Sequence, residues 1–158
     1  MSRTLFDELA ALVAVVSSVP DVGVVHNFER YAAEAATLRA HYTTTVAGQD
    51  QIRGWFVQRW KTIDQKAAQK ASFDRSTWRI VGFMGLSDAD ASELVFQGLV
   101  EAIRDALRAD LTLGGVVMPP ERDEHAGPAV ECGPVLFAGM LCHRAEIHLT
   151  TKRFVSVP

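Results

Sequence analysis

His125, Cys132, Cys142, His143 and His148 crowd the last third of the chain, and clustered imidazoles and thiols are the ligands that zinc selects. Read as a strand, that segment sends Cys142 and His143 to opposite faces, because successive side chains alternate. Cys142 and His148 share a face, yet six residues at about 3.3 Å each hold them about 20 Å apart. Zinc ligands must converge within about 2.3 Å of one point, and no CxxC or HxxxH spacing occurs. Flanked by Leu141 and Ala145, His143 reads instead as a hydrogen-bonded core or interface histidine. Glu131 and Glu146, on neighbouring strands, are the nearest approach to an acid–base pair, and lone acids on strand surfaces are ordinarily solvated. The chain has no GxSxG elbow, no P-loop and no glycine-rich dinucleotide fingerprint. Gly82-Phe-Met-Gly85 lacks the lysine a phosphate loop needs. These residues predict no catalytic group, no metal, no cofactor and no enzyme.

Arg53-Gly-Trp-Phe-Val57 has the basic residue, glycine and aromatics of an RNA-stacking strand. Such a strand needs its aromatics two residues apart on one face, whereas Trp55 and Phe56 are adjacent and face opposite ways. Trp60 and Trp78 read as core or interface anchors.

The elements around these residues follow from periodicity. Leu5, Phe6, Leu9, Leu12, Val13 and Val16 form one stripe of an amphipathic helix, with Ser2 or Thr4 to cap it and Pro20 beyond its end. Gly23–Phe28 predicts a short strand, Glu29–His41 a short helix or ordered excursion, and Thr43–Asp50 a turn or loop. Ile52–Ile63 predicts a strand with Ile52, Gly54, Phe56, Gln58 and Trp60 on one face. Asp64–Asp74, polar and lysine-bearing, predicts a flexible hairpin loop, and Thr77–Leu86 a strand with Trp78, Ile80, Gly82 and Met84 on one face. Ser87-Asp-Ala-Asp90 predicts a helix start. That helix runs to about Leu111, buries Leu94, Val95, Leu99, Ala102, Ile103, Ala106 and Leu107, and ends at Gly114-Gly115. Pro119–Pro128 reads as a loop, and Val130–Phe137 and Met140–Phe154 as two strands. The order α-β-(α)-β-β-α-β-β predicts an α+β fold. Its antiparallel sheet has four to five strands, packed on one face by an N-terminal helix and one long central helix.

One ordinary domain of 158 residues fits this content. The apolar run Leu9–Val16 follows Asp7 and Glu8 and lacks the positive start of a signal peptide; no run reaches the roughly 18 residues of a membrane span. Two cysteines make no disulfide framework, and reduced thiols in a cytosolic setting are expected. Charge is unevenly placed. Gln51–Ile80 holds seven basic residues against two acids, and Ser87–Glu131 ten acids against three arginines. Such a dipolar surface suits steering between protein faces.

The order and several local patterns resemble the phage tail terminator family, also called tail-completion or minor tail proteins. The resemblance rests on the amphipathic N-terminal helix, Ile52-Arg-Gly-Trp-Phe-Val-Gln-Arg59, Trp78-Arg-Ile-Val-Gly-Phe83, Asp110-Leu-Thr-Leu-Gly-Gly115 and Leu141-Cys-His-Arg-Ala-Glu-Ile-His-Leu149. It implies a hexameric ring of identical copies that caps the tail tube, ends tube polymerisation and joins the tail to the head–neck connector. Its partners are then the major tail tube protein and a head-completion protein, with no membrane, and with DNA only as cargo passing the lumen. Its location is the virion tail or neck, reached from the host cytoplasm. A head-to-tail ring needs two different faces per subunit. The basic Arg53, Arg59, Lys61, Lys66, Lys70 and Arg79 and the acidic Glu101, Asp105, Glu121, Asp123 and Glu124 are the candidates. The other reading is a single-stranded nucleic-acid-binding or adaptor module on a ferredoxin-like sheet.

Overall fold

A computed structural model describes residues 4–121 and 127–156. The chain begins with helix α1, Leu5–Ser17, which starts sharply because Thr4 and Asp7 form a reciprocal capping box. Strand β1 is Val24–His26, helix α2 Ala35–His41 and strand β2 Thr43–Val46. Two long strands follow, β3 (Gln49–Ala68) and β4 (Ala71–Gly85), then helix α3 (Ser92–Ala109) and strands β5 (Ala129–Phe137) and β6 (Met140–Ser156).

The fold is α+β, and its sheet is mixed rather than antiparallel. The order is β1-β3-β4-β6-β5, with β1 parallel to β3 and β2 paired antiparallel to the first residues of β3. The parallel pairing arises because α2 and β2 intervene between β1 and β3, so the chain returns to β1's starting end before entering β3. Thr43–Val46 is a strand, not a loop: its β-branched run suits a pleated surface. Ala47 and Gly48, both at positive φ, make the two-residue turn that matches strand twist. Ala138 and Gly139 do the same between β5 and β6. The expected loop at Asp64–Asp74 is also strand. Pairing of β3 with β4 runs on to Ala68↔Ala71, leaving only Gln69 and Lys70 as the turn. Its alternation is hidden in the sequence because residues 61–70 are exposed apart from half-buried Thr62.

The main core lies under α1 and α3, where Trp55, Val57, Trp78, Ile80, Met84, Ala145, Ile147 and Leu149 meet Leu12, Val16, Phe96, Val100, Ile103 and Leu107. Trp55 stacks on Phe96 at 5.8 Å and donates its indole N–H to Val22 O at 2.9 Å. Helices occupy both faces: on the opposite side Leu38 of α2 packs on a second core of Tyr42, Ile52, Phe56, Val81, Phe83 and Cys142. Two details of α3 differ from the periodicity reading. Ser87–Asp90 opens a separate 3₁₀ turn (Asp88–Asp90), and Ala91 at φ 49° sets α3 off from it. The helix therefore buries Phe96 and Val100 while Leu94 and Val95 stay exposed. Gly114-Gly115 does not end α3, whose last residue is Ala109; it belongs to the following turn, organised by Asp110. The Asp110 carboxylate accepts from Thr112 Oγ1 at 2.5 Å, Gly114 N at 2.7 Å and Thr112 N at 2.9 Å. These bonds, Thr112's first, hold its pKa below the ordinary aspartate value.

Glu8 is 1% exposed on α1 and anchors a polar network in the core. It accepts from Arg153 Nε and from Thr151 Oγ1, each at 2.7 Å. Thr151 accepts in turn from the Trp78 indole at 2.9 Å, and Arg153 Nη2 donates to Asp74 at 2.8 Å. The network ties α1 to β4 and β6 where the long strands leave the helical layer.

Candidate functional site

The sheet face that carries α2 changes character along its length. At one end Tyr42 sits edge-on to His26, Phe56, Phe83 and Phe137, and Phe83 stacks on Phe137 at 4.1 Å. Burial raises the pKa of the Tyr42 hydroxyl, and burial likewise raises that of the Cys142 thiol in the same cluster. Further along the face stand Gln58, Arg79, Arg144, Glu146 and His148. Buried Glu146 binds Arg144, Arg79 Nη1 at 3.5 Å and His148 Nε2 at 3.1 Å. Arg79 donates to Gln58 Oε1 at 2.8 Å and lies 4.1 Å over the ring of Trp60, which is 60% exposed. The register shift between Arg59 and Lys61 makes Trp60 a bulge residue and turns it outward. Glu131 and Glu146 stand opposite each other in the register, but Glu146 is engaged by Arg79, Arg144 and His148 rather than by its neighbour.

The cysteines and histidines go to separate partners. Cys132 is exposed on β5, Cys142 lies in the second core, and His148 binds Glu146. His143 Nε2 meets Ser92 Oγ at 2.8 Å and stacks on Phe96 at 5.6 Å; His125 lies outside the described residues. The Ser92–His143 pair has nucleophile–base spacing. However, Ser92 is buried, and its Oγ already accepts the Ser87 backbone N–H at 2.8 Å. Among the described residues no carboxylate orients His143. The pair fastens the start of α3 to β6. Its members are 51 positions apart, so no local spacing signals it.

The predicted contact residues divide sharply. Arg53 is buried, ties β3 to Asp21 O at 3.1 Å and donates to Gln51 of its own strand at 3.2 Å. Arg79 is held by Glu146 and Gln58. Glu101 binds Arg104 at 2.6 Å and Asp105 binds Arg108 at 2.7 Å along α3. Glu121 pairs with Lys152, which lowers its pKa. Asp123 and Glu124 lie outside the described residues. Arg59, Lys61, Lys66 and Lys70 are different: all four are exposed on the β3–β4 hairpin, and none pairs with an acid among the described residues.

No protein-family model and no curated protein matches the chain. The geometry therefore speaks through its surfaces. Among the described residues no helix is long and apolar enough to cross a membrane. The hairpin beyond Trp60 pairs with β6 through Ser156, forming a three-stranded arm. At about 3.3 Å per residue, its eight β3 residues 61–68 reach roughly 25 Å. An arm with a paired backbone that carries four exposed cations against one exposed acid, Asp64, over residues 59–70 of β3 and its turn is suited to reach a neighbouring surface of negative charge.

Proposed function

We propose that this chain is a structural, non-enzymatic subunit of a phage-like tail, a ring-forming protein that caps the tail tube. The observation that carries this reading is the arm. Among the described residues it gathers the exposed cations that pair with no acid, Arg59, Lys61, Lys66 and Lys70, on one projecting element away from α1 and α3. In this account the arm reaches the tube or the connector, the helical layer forms contacts between copies, and DNA passes the lumen as cargo. Six copies close the ring, as the resemblance to tail terminators implies, and the assembled protein resides in the virion neck.

Replacing Arg59, Lys61, Lys66 and Lys70 together with glutamate reverses the charge of the arm without touching a buried side chain. Capture on tube ends, followed by co-sedimentation with tubes of the same particle, is expected to fall at least about tenfold and to lose its salt dependence. Unchanged capture would remove the arm from the account.

One observation favours a second reading, single-stranded nucleic-acid binding: Trp60 stands exposed beside Arg79 on a sheet face that also carries Arg144 and His148. The Arg79 guanidinium covers one face of that ring, and Glu146 opposes the local positive charge. A fluorescence titration of Trp60 with oligonucleotide separates the readings, since stacking quenches the indole and tube capture does not require it.

A further inference from the structure

Helix α1 is apolar nearly all round. Ten of its thirteen residues are Leu, Phe, Ala or Val, yet only Glu8, Leu12 and Val16 are fully buried. A surface helix normally carries one apolar stripe and a polar outer face. Here Phe6, Leu9 and Val13 instead join Val25 and Phe28 around an open cleft of about 500 Å³, with Phe6 74% exposed. Arg30 lines the cleft, its guanidinium 5.2 Å from the Phe28 ring. Of the acids next to cleft residues, Asp7 is turned back to Thr4 in the capping box and Glu29 accepts the Tyr31 hydroxyl at 2.9 Å.

A second apolar surface lies at the other edge of the sheet. Leu136 and Leu141 are register partners on β5 and β6, and the Leu86 N–H donates to Leu141 O at 3.2 Å. The three leucines form a cross-strand row in phase with Met84 and His143, so they share the sheet face on which α1 and α3 pack. Their exposure rises toward the edge strand, from 37% at Leu86 through 54% at Leu141 to 71% at Leu136. Exposed Asp88 and Asp90 follow Leu86, and exposed Glu93 stands in the groove that Leu86 lines.

We infer that the leucine row of one copy seats in the α1 cleft of the next, a head-to-tail contact between identical chains. The two surfaces are different and non-overlapping and stand at opposite edges of one sheet face. Their flanking charges are complementary, Arg30 against Asp88, Asp90 and Glu93. A two-fold contact would set like against like; this pairing uses each surface once and repeats around a ring. The inference rests on the ring reading above and specifies its subunit contact.

The test uses Phe6→Asp and Leu141→Asp, with Phe28→Asp and Leu136→Asp as replacements should either first variant fail to fold by circular dichroism. Native mass spectrometry of the wild-type chain is expected to give a closed oligomer, and each variant alone a monomer. Mixing the two variants restores one intact contact, the sound cleft of Leu141→Asp with the sound row of Phe6→Asp, and gives a 1:1 dimer that grows no further. A wild-type monomer at the highest soluble concentration, variants that still form the wild-type oligomer, or a mixture that stays monomeric would each overturn the inference. An oligomer that passes the mixing test yet ignores tail tubes would leave this contact standing and refute the tube-capping function instead.

Discussion

Replacing Glu8 with alanine is expected to destabilise the chain by about 3 kcal/mol, the lower end of what breaking a buried ion pair costs. The carboxylate is 1% exposed and meets Arg153 and Thr151 at 2.7 Å each. Its removal takes a 2.7 Å partner from the Arg153 guanidinium, which stays bound to Asp74 at 2.8 Å, and leaves the Thr151 hydroxyl with the longer 3.5 Å contact to Ser76 O. For a domain of this size the melting temperature should drop by roughly 6–12 °C. Glu8→Gln keeps an acceptor for Thr151 and should cost less than half as much, a difference read directly from paired thermal melts. Equal melts for wild type and Glu8→Ala would show that the network does not hold α1 to the base of the arm.

Gly82→Ala is expected to cost a similar amount for a steric reason. A Cβ at that position would stand 2.2 to 2.5 Å from three atoms of the Trp55 ring. The ring has nowhere to retreat: it is fully buried, stacked on Phe96 and hydrogen-bonded to Val22 O. Overpacking of this kind costs typically about 1–3 kcal/mol, and the rigid indole puts this site at the upper end. The urea midpoint should fall with an unchanged slope, and Gly82→Val should fall further. A midpoint within error of wild type would mean that Trp55 repacks freely.

These two sites also mark where the sequence is legible and where it is silent. The alternation Trp78, Ile80, Gly82, Met84 gives the register of one face of β4 over the main core, and Val81 and Phe83 between them are as apolar because they line the second core on the other face. Gly82 reads as one more position on that face; only the neighbouring strand shows that Trp55 fills the space above it. Glu8 reads as an acid that spoils a signal peptide, since its partners Thr151 and Arg153 lie more than 140 positions away. The arm is hidden for the opposite reason. With both faces of residues 61–70 largely exposed, no hydrophobic alternation is needed there, and the lysines read as loop. Thr43–Val46 is hidden because threonine is both polar and β-branched, and only the pairing with Gln49–Ile52 decides which property governs.

The charge partition along the sequence has a structural counterpart on one side only. Glu101 and Asp105 of α3 are matched within their own helix by Arg104 and Arg108, so these two acids offer little to a partner. The basic half resolves into two groups: Arg53 and Arg79, tied into the sheet, and the four exposed cations of the β3–β4 hairpin. That division narrows the candidate contact surface to the arm, with the apolar α1 cleft and the leucine row as the proposed surfaces between copies.

The most direct measurement is electron microscopy of tail tubes from the same particle, polymerised with and without this chain. A ring of six-fold symmetry is expected on one end of each tube, with a tube length that stops increasing once the ring is bound. Tubes that grow to the same length in its presence, with bare ends, would contradict it.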